Sequence, residues 1–306
     1  MDKAQDVFSA LADPTRARIL LLVRDLQLSV GELADILDQS QPRVSRHVRI
    51  LAEAGLVRRH KEGAWVFVGP GDRDIGDAVH KLVLSLAGPG DPIAPERARL
   101  EQVRADRQRR IDDWFEANAG EWDLLRRLGG QDADVETALV AAARESGVGR
   151  LLDIGTGTGR VLELLAPEAA QATGVDRSPE MLRLARGKLA GGGNQAAEVR
   201  QADMRTLPYA DASFDTVTMH HVLHFADDPA AAVAEAARLL APGGKLLIVD
   251  YAAHRLEELR TRFHHNRLGF EDEAVIGFMA DAGLSPRLLS SHAGPELTVK
   301  LWEGRR

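Results

Sequence analysis

Apolar residues recur along this chain in two rhythms, and the change between them divides it. From Arg150 onward, short apolar runs alternate with helical patterns, which predicts a mostly parallel, doubly wound α/β domain. Leu151, Leu152 and Ile154 read as a buried strand that runs into Gly155, Gly157 and Gly159. Val161, Leu162, Leu164 and Leu165 then continue as a helix. A second strand ends at Asp176, with Ser178 as the cap of the next helix and Pro179 in its first turn. Phe214–Met219 is a further apolar strand, and the stretch "LLAPGGKLLIVDY" is a turn followed by a buried one.

The first 87 residues follow a helical period instead. Asp13 is placed to cap a helix carrying Ile19, Leu20, Leu22 and Val23, with Pro14 in its first turn. Ser29 and Glu32 form a capping box ahead of Leu33, Ile36 and Leu37. Ser40 is expected to cap a third helix that ends at Gly55 and turns Val44, Val48 and Leu51 to the core. "LVRRHKEGAWVFVG" alternates about a Glu62-Gly63 turn as a hairpin would. Two short helices, a basic helix and a hairpin describe a winged helix-turn-helix. The Pro/Gly-rich Gly88–Pro95 marks a boundary, and a charged helix is expected from Glu96 toward Leu128. Along it Leu100, Val103, Arg107, Ile111 and Trp114 follow roughly heptad spacing, on a bridging helix or one packed on its own domain. The expected organisation is a winged-helix domain over 1–87, a linker and bridging helix over 88–129, and a Rossmann-like α/β domain over 130–306.

Composition narrows the chemistry. The chain has 306 residues, 44% hydrophobic and 28% charged, which suits about two soluble domains. It has no cysteine, so disulfides, zinc–thiolate sites and thiol chemistry are excluded. The N-terminus lacks the layout of a signal peptide and no apolar run approaches the roughly 18 residues of a membrane span, so a cytoplasmic protein is expected, away from membranes. A net charge of −7 argues against general affinity for nucleic acid but leaves room for a local basic stripe. Such a stripe exists: Arg43, Arg46, Arg49, Arg58, Arg59 and Lys61 lie among only two acids, Glu53 and Glu62. Charge alone fits a duplex phosphate backbone or a solvated helix in a protein-contact module equally well.

"LADPTR", "S-Q-x-x-V-S-R-H" and "L-x-E-A-G-L-V" resemble the ArsR-type repressor family across nearly the whole N-terminal segment. The resemblance implies a homodimeric winged helix that reads double-stranded operator DNA. The faces of the third helix away from the core carry Gln41, Arg43, Ser45, Arg46, His47 and Arg49. By the resemblance Gln41, Arg43, Ser45 and Arg46 approach base edges, while Arg49, Arg58, Arg59 and Lys61 hold phosphates. Val7, Leu11 and the helix Ile75–Leu86 would form the dimer face. Where arsenic-sensing relatives carry Cys-x-Cys, Ser29 and Gly31 stand here. Asp77 and His80 lie three apart with no second histidine in their helix, so no metal effector is expected there.

Asp153-x-Gly-x-Gly-x-Gly departs from the dinucleotide fingerprint, which needs a glycine where Arg160 stands. It resembles motif I of the class I S-adenosylmethionine (SAM) dependent methyltransferases. Residues 110–306 as a whole resemble the ubiquinone/menaquinone-biosynthesis type. The resemblance implies SAM or S-adenosylhomocysteine (SAH) as cofactor. Asp153, Gly155, Thr156 and Gly157 would lie along its methionine part, and Asp176, with Arg177 and Met181 near it, would bind the ribose. Asp203 would take the adenine amine, Met204 would pack on the ring, and His220 would lie beside the cofactor. Asp176 could instead be an ordinary cap or ion-pair partner. Three carboxylates suit a sulfonium that also carries an ammonium. Trp114, Phe115 and Trp122 fall where aromatic residues lid the pocket in such enzymes, or are simply core.

Methyl transfer is an in-line displacement that needs alignment, and a base only for a poor nucleophile. The candidate bases are His220, His221, His224, His264 and His265, with His224 expected to be structural. His220 and His224 have a spacing that can hold a metal, but no carboxylate pattern accompanies them in sequence, and no metal is expected. His264, His265, Asn266 and Arg267 fall where acceptor specificity is shaped, or on a solvated helix. Two functions fit: a DNA-binding regulator whose methyltransferase-fold domain responds to SAM or SAH, and a small-molecule methyltransferase whose winged helix serves autoregulation or dimerisation.

Overall fold

The structure, a computed structural model, describes residues 2–24, 27–62, 65–71, 73–86, 93–118, 132–191 and 197–306. The chain divides into two compact units, 1–109 and 110–306.

The first unit begins with α1 (Asp2–Leu11) and α2 (Pro14–Leu22), followed by β1 (Leu28–Ser29), α3 (Val30–Leu37) and α4 (Gln41–Glu53). A hairpin of β2 (Val57–Glu62) and β3 (Trp65–Pro70) precedes α5 (Arg73–Leu86). The three strands form one antiparallel sheet in the order β1-β3-β2. Local chemistry sets the helix starts. The Asp13 carboxylate accepts the amides of Thr15 (2.8 Å) and Arg16 (3.2 Å). The capping box is closed, with Ser29 Oγ accepting the Glu32 amide (3.2 Å) and Glu32 Oε2 accepting that of Ser29 (2.8 Å). Ser40 departs from expectation: its backbone is extended as a cap requires, but its side chain makes no capping bond.

Helix α6 runs Ala94–Asn118, and the division between units falls inside it. The expected 1–87 unit is therefore extended. Ile93 and Leu100 are buried in the winged-helix core, and Val103 packs against it. Arg18 pairs with Glu96 (2.7 Å), and Arg99 donates to the Ile36 carbonyl (2.8 Å). Trp122, Gly63 and most of the Gly88–Pro95 stretch lie outside the described residues.

In the second unit, α7 (Asp132–Arg144) leads into β4 (Arg150–Ile154), α8 (Arg160–Leu165), β5 (Gln171–Asp176), α9 (Pro179–Gly191) and β6 (Ala197–Gln201). Then follow β7 (Phe214–His220), α10 (Pro229–Leu239), β8 (Leu240–Tyr251), α11 (Glu257–Thr261), α12 (Asp272–Asp281), β9 (Ser285–Ala293) and β10 (Thr298–Arg305). They build a seven-stranded sheet in the order β6-β5-β4-β7-β8-β10-β9. The run from β6 to β8 is parallel, whereas β10 pairs antiparallel with both β8 and β9. Apolar side chains pack both faces of this sheet, as a parallel sheet requires. The strand order reverses between β4 and β7, and such a switch point is where open α/β sheets leave a crevice for ligands. Among the described residues no helix is long and apolar enough to cross a membrane.

Candidate cofactor cradle and nucleic-acid interface

The turn after β4 is built for close approach. Gly155 has φ +72°, and a Cβ there would lie 2.3 Å from the Val222 side chain. Only glycine meets both demands. The amides of Gly155 and Thr156 donate to the Val175 carbonyl at 2.8 and 2.9 Å, which ties the turn to β5. Asp153 is buried beneath it and accepts from the Thr218 hydroxyl on β7 (2.7 Å).

Asp176 sits half-buried at the end of β5. Its two oxygens accept the amides of Gly157 (2.8 Å) and Ser178 (2.9 Å). Desolvation pushes its pKa up, against the opposing pull of those amides. The capping role is therefore present, on a carboxylate that also reaches the glycine turn. Met181 is buried behind it in α9. Asp203 is held by guanidiniums: Arg205 donates to both of its oxygens and Arg177 lies 3.5 Å from one. Arg205 is the main reason its pKa is lowered. Arg177 also lies 3.6 Å from Asp112. Met204 packs against the sheet core, and His220 is half-buried at the end of β7. Arg160, at the place of the missing third glycine, is pinned by two bonds to Glu136 (2.9 and 2.7 Å).

Beyond β7 the histidines gather. His224 is buried, with Nδ1 2.7 Å from Asp250 Oδ1. Burial pushes the imidazole pKa down to about 3, so the ring is neutral, and pushes Asp250 up to about 6. His265 stacks on His224 with ring centroids 4.0 Å apart. Asn266 and Arg267 are spent on the loop after β7: both amides donate to the His224 carbonyl at 3.1 Å, and Asn266 Nδ2 donates to that of Phe225 (2.6 Å). Trp114 lies edge-on to Phe263 and His264, at 5.7 and 6.5 Å. Sequence reasoning missed Asp250. Its signal was a carboxylate at the end of the apolar run "LLIVD", where a buried acid needs partners.

In the winged helix, α4 separates its faces. Val44, Val48 and Leu51 are fully buried, while Gln41, Arg43, Ser45, Arg46 and Arg49 are exposed. Arg58, Arg59 and Lys61 are exposed on β2. His47 differs from the expectation that grouped it with the DNA-facing residues. It is 8% exposed, with Nδ1 3.9 Å from Asp13 Oδ1, because it falls on the apolar stripe between Val44 and Leu51. Val7 likewise belongs to the core of its own unit, whereas Phe8, Leu82 and Leu84 are exposed.

Residues 13–59 match the family model for bacterial regulatory proteins of the arsR family, and residues 152–248 match that of a methyltransferase domain. A ubiquinone/menaquinone biosynthesis C-methyltransferase, UbiE, of Geotalea uraniireducens is 32% identical over 51% of this chain and 68% of its own length. The chain belongs with the UbiE-like SAM-dependent methyltransferases and carries an ArsR-family winged helix. The UbiE of Desulfotalea psychrophila is 36% identical over 46% of this chain, which spans only 57% of that relative's length. The YcgJ protein of Bacillus subtilis shares the α/β fold, with a TM-score of 0.51 at 21% identity, covering 56% of this chain and 97% of that one.

Membership implies SAM or SAH as the cofactor. The residues present fit it: a turn whose glycines put no side chain in the way of a ligand, a half-buried carboxylate against that turn, and the strand-order switch point beside both.

Proposed function

We propose that the chain is a cytoplasmic, homodimeric, DNA-binding transcriptional regulator whose methyltransferase domain binds SAM or SAH as its effector. The observation that carries this reading is the division of α4: its apolar stripe is committed to the core, and its polar face presents Gln41, Arg43, Ser45, Arg46 and Arg49 to solvent. A helix in a protein-contact module would have no need of three arginines there, backed by Arg58, Arg59 and Lys61 on the adjacent strand. Exposed Phe8, Leu82 and Leu84 on α1 and α5 supply apolar surface for a second copy. In the cradle, Asp153 and the turn Gly155–Gly157 would hold the methionine part and Asp176 the ribose. Asp203 and Met204 would serve the adenine, with Arg177, Met181 and His220 lining the site. When bound, SAM supplies an electrophilic methyl group on a sulfonium.

Arg46→Ala should weaken specific DNA binding by about 1–3 kcal/mol if the side chain reads a base. Arg59→Ala should weaken binding to all sequences alike and reduce the salt slope. Both are read by fluorescence anisotropy over a salt series, and unchanged affinity in both variants would remove the DNA assignment for this face. The effector role is tested by the same assay on operator DNA with no ligand, saturating SAM and saturating SAH. Coupling of about 1–3 kcal/mol corresponds to roughly 5–150-fold in DNA affinity. Three superimposable curves would reject it.

A second reading, methyl transfer to a small molecule, is favoured by one specific feature. The buried His224–Asp250 pair follows directly on the loop whose Val222 packs against Gly155. The pair fixes that loop against the turn, and alignment of this kind is what an in-line methyl transfer needs.

A further inference from the structure

The histidines beyond β7 are arranged for a chemistry other than proton transfer. Among the described residues, His221, His224 and Asp250 each bring one ligand-capable atom to within 4.8 Å of the others. We propose that these three residues hold one divalent transition-metal ion, a site separate from the SAM cradle.

Burial is the first argument. His221 is 7% exposed, His224 1% and Asp250 0%. Ionisable side chains this deep are ordinarily paired with one another or ligate a metal. His224 Nδ1 and Asp250 Oδ1 face each other at 2.7 Å. An imidazole nitrogen and a carboxylate oxygen set that close can exchange the proton they share for a cation that both coordinate.

Preorganisation is the second. Asp250 Oδ1 accepts the Tyr251 amide (2.8 Å), and Oδ2 accepts that of His224 (3.1 Å), so the carboxylate is aimed before any ion arrives. That is the support a ligating carboxylate usually receives. His221 is held at φ +52°, a conformation unfavourable for any residue with a side chain. Its amide is fixed to the Val249 carbonyl (2.8 Å). Backbone strain of this kind persists where the surroundings impose it, and it clusters at ligand sites.

The donor set indicates the class of ion. Two imidazoles and one carboxylate, with no sulfur ligand, suit Zn²⁺, Co²⁺, Ni²⁺ or Fe²⁺ better than Mg²⁺ or Ca²⁺, which prefer oxygen shells. The expectation of no metal rested on the missing carboxylate near His220 and His224. Asp250 supplies it from a strand 26 residues further on, and His221 takes the place of His220.

The full chain, stripped with a chelator, would be titrated with Co²⁺ and followed by its visible ligand-field absorption, then challenged with Zn²⁺. One equivalent of Co²⁺ should bind, gain the spectrum of nitrogen and oxygen ligation, and be displaced by Zn²⁺. His221→Gln and His224→Gln should each weaken binding by about 100-fold or more. His292→Ala, on β9 with its ring 2.9 Å from the Ser290 hydroxyl, should leave binding unchanged. Failure of the wild-type chain to bind either ion at one equivalent overturns the proposal, whatever the variants do. So does a spectrum that survives in the His221→Gln/His224→Gln double variant. Circular dichroism of the metal-free variants separates loss of a ligand from loss of the fold.

Discussion

Gly155→Ala is expected to destabilise the α/β unit by about 2–4 kcal/mol and to abolish SAH binding. Two independent costs add. A side chain at φ +72° costs about 1 kcal/mol. A Cβ placed 2.3 Å from Val222 forces the loop after β7 away from the turn, an overpacking that typically costs about 1–3 kcal/mol. The measurement is thermal unfolding by circular dichroism with and without SAH. Adding Val222→Ala to Gly155→Ala should recover only a part of the steric cost, because Val222 Cβ itself would lie 2.6 Å from the new methyl group. A Gly155→Ala variant that melts with the wild type would mean that the loop yields freely and that the turn is not a rigid cradle.

Asp176→Asn and Asp176→Ala separate a cap from a ligand. Both lose the ionised acceptor that would take the ribose hydroxyls. At about 1.5–3 kcal/mol per hydrogen bond to a charged group, loss of both should lower affinity for SAH by about two to four orders of magnitude. Asparagine keeps one carbonyl oxygen for the Gly157 or Ser178 amide and loses the other acceptor, so Asp176→Asn should unfold between the wild type and Asp176→Ala when no ligand is present. Alanine leaves both amides bare and should melt earlier. The wild type should gain melting temperature with SAH by mass action, and neither variant should. Equal gains in all three would show that Asp176 only ties the turn to its strand.

What was legible in the chain follows the range of the interactions. Asp13 and the Ser29–Glu32 box act over three residues, and both form as their sequence reads. The strand–turn–helix at Leu151–Leu165 is equally local, and its glycines take the positive φ that their spacing suggests. His47 was legible in principle. Its position between Val44 and Leu51 lies on the apolar stripe, and counting it with the basic face put residue type ahead of helical phase. The Asp250–His224 contact was not legible, because it exists only once β7 and β8 pair in register, His220 beside Val249. The clamp of Arg205 and Arg177 on Asp203 was hidden for a related reason. A surface guanidinium chooses among several acids, and only the folded chain shows which one is within reach.

The strand order also has a consequence in time. β4 is the first strand of its sheet to be synthesised and the one at its switch point, yet its partner β7 lies far along the chain: Asp153 and Thr218 are 65 residues apart. Contacts of such sequence separation form late, because the loop between them must be closed before they stabilise anything. Gly155 meets Val222 only after that closure. A growing polypeptide that has long passed Gly159 therefore still lacks the β7 wall of its cradle, while the helices and hairpin of its first unit rest on nearby partners and can already be in place.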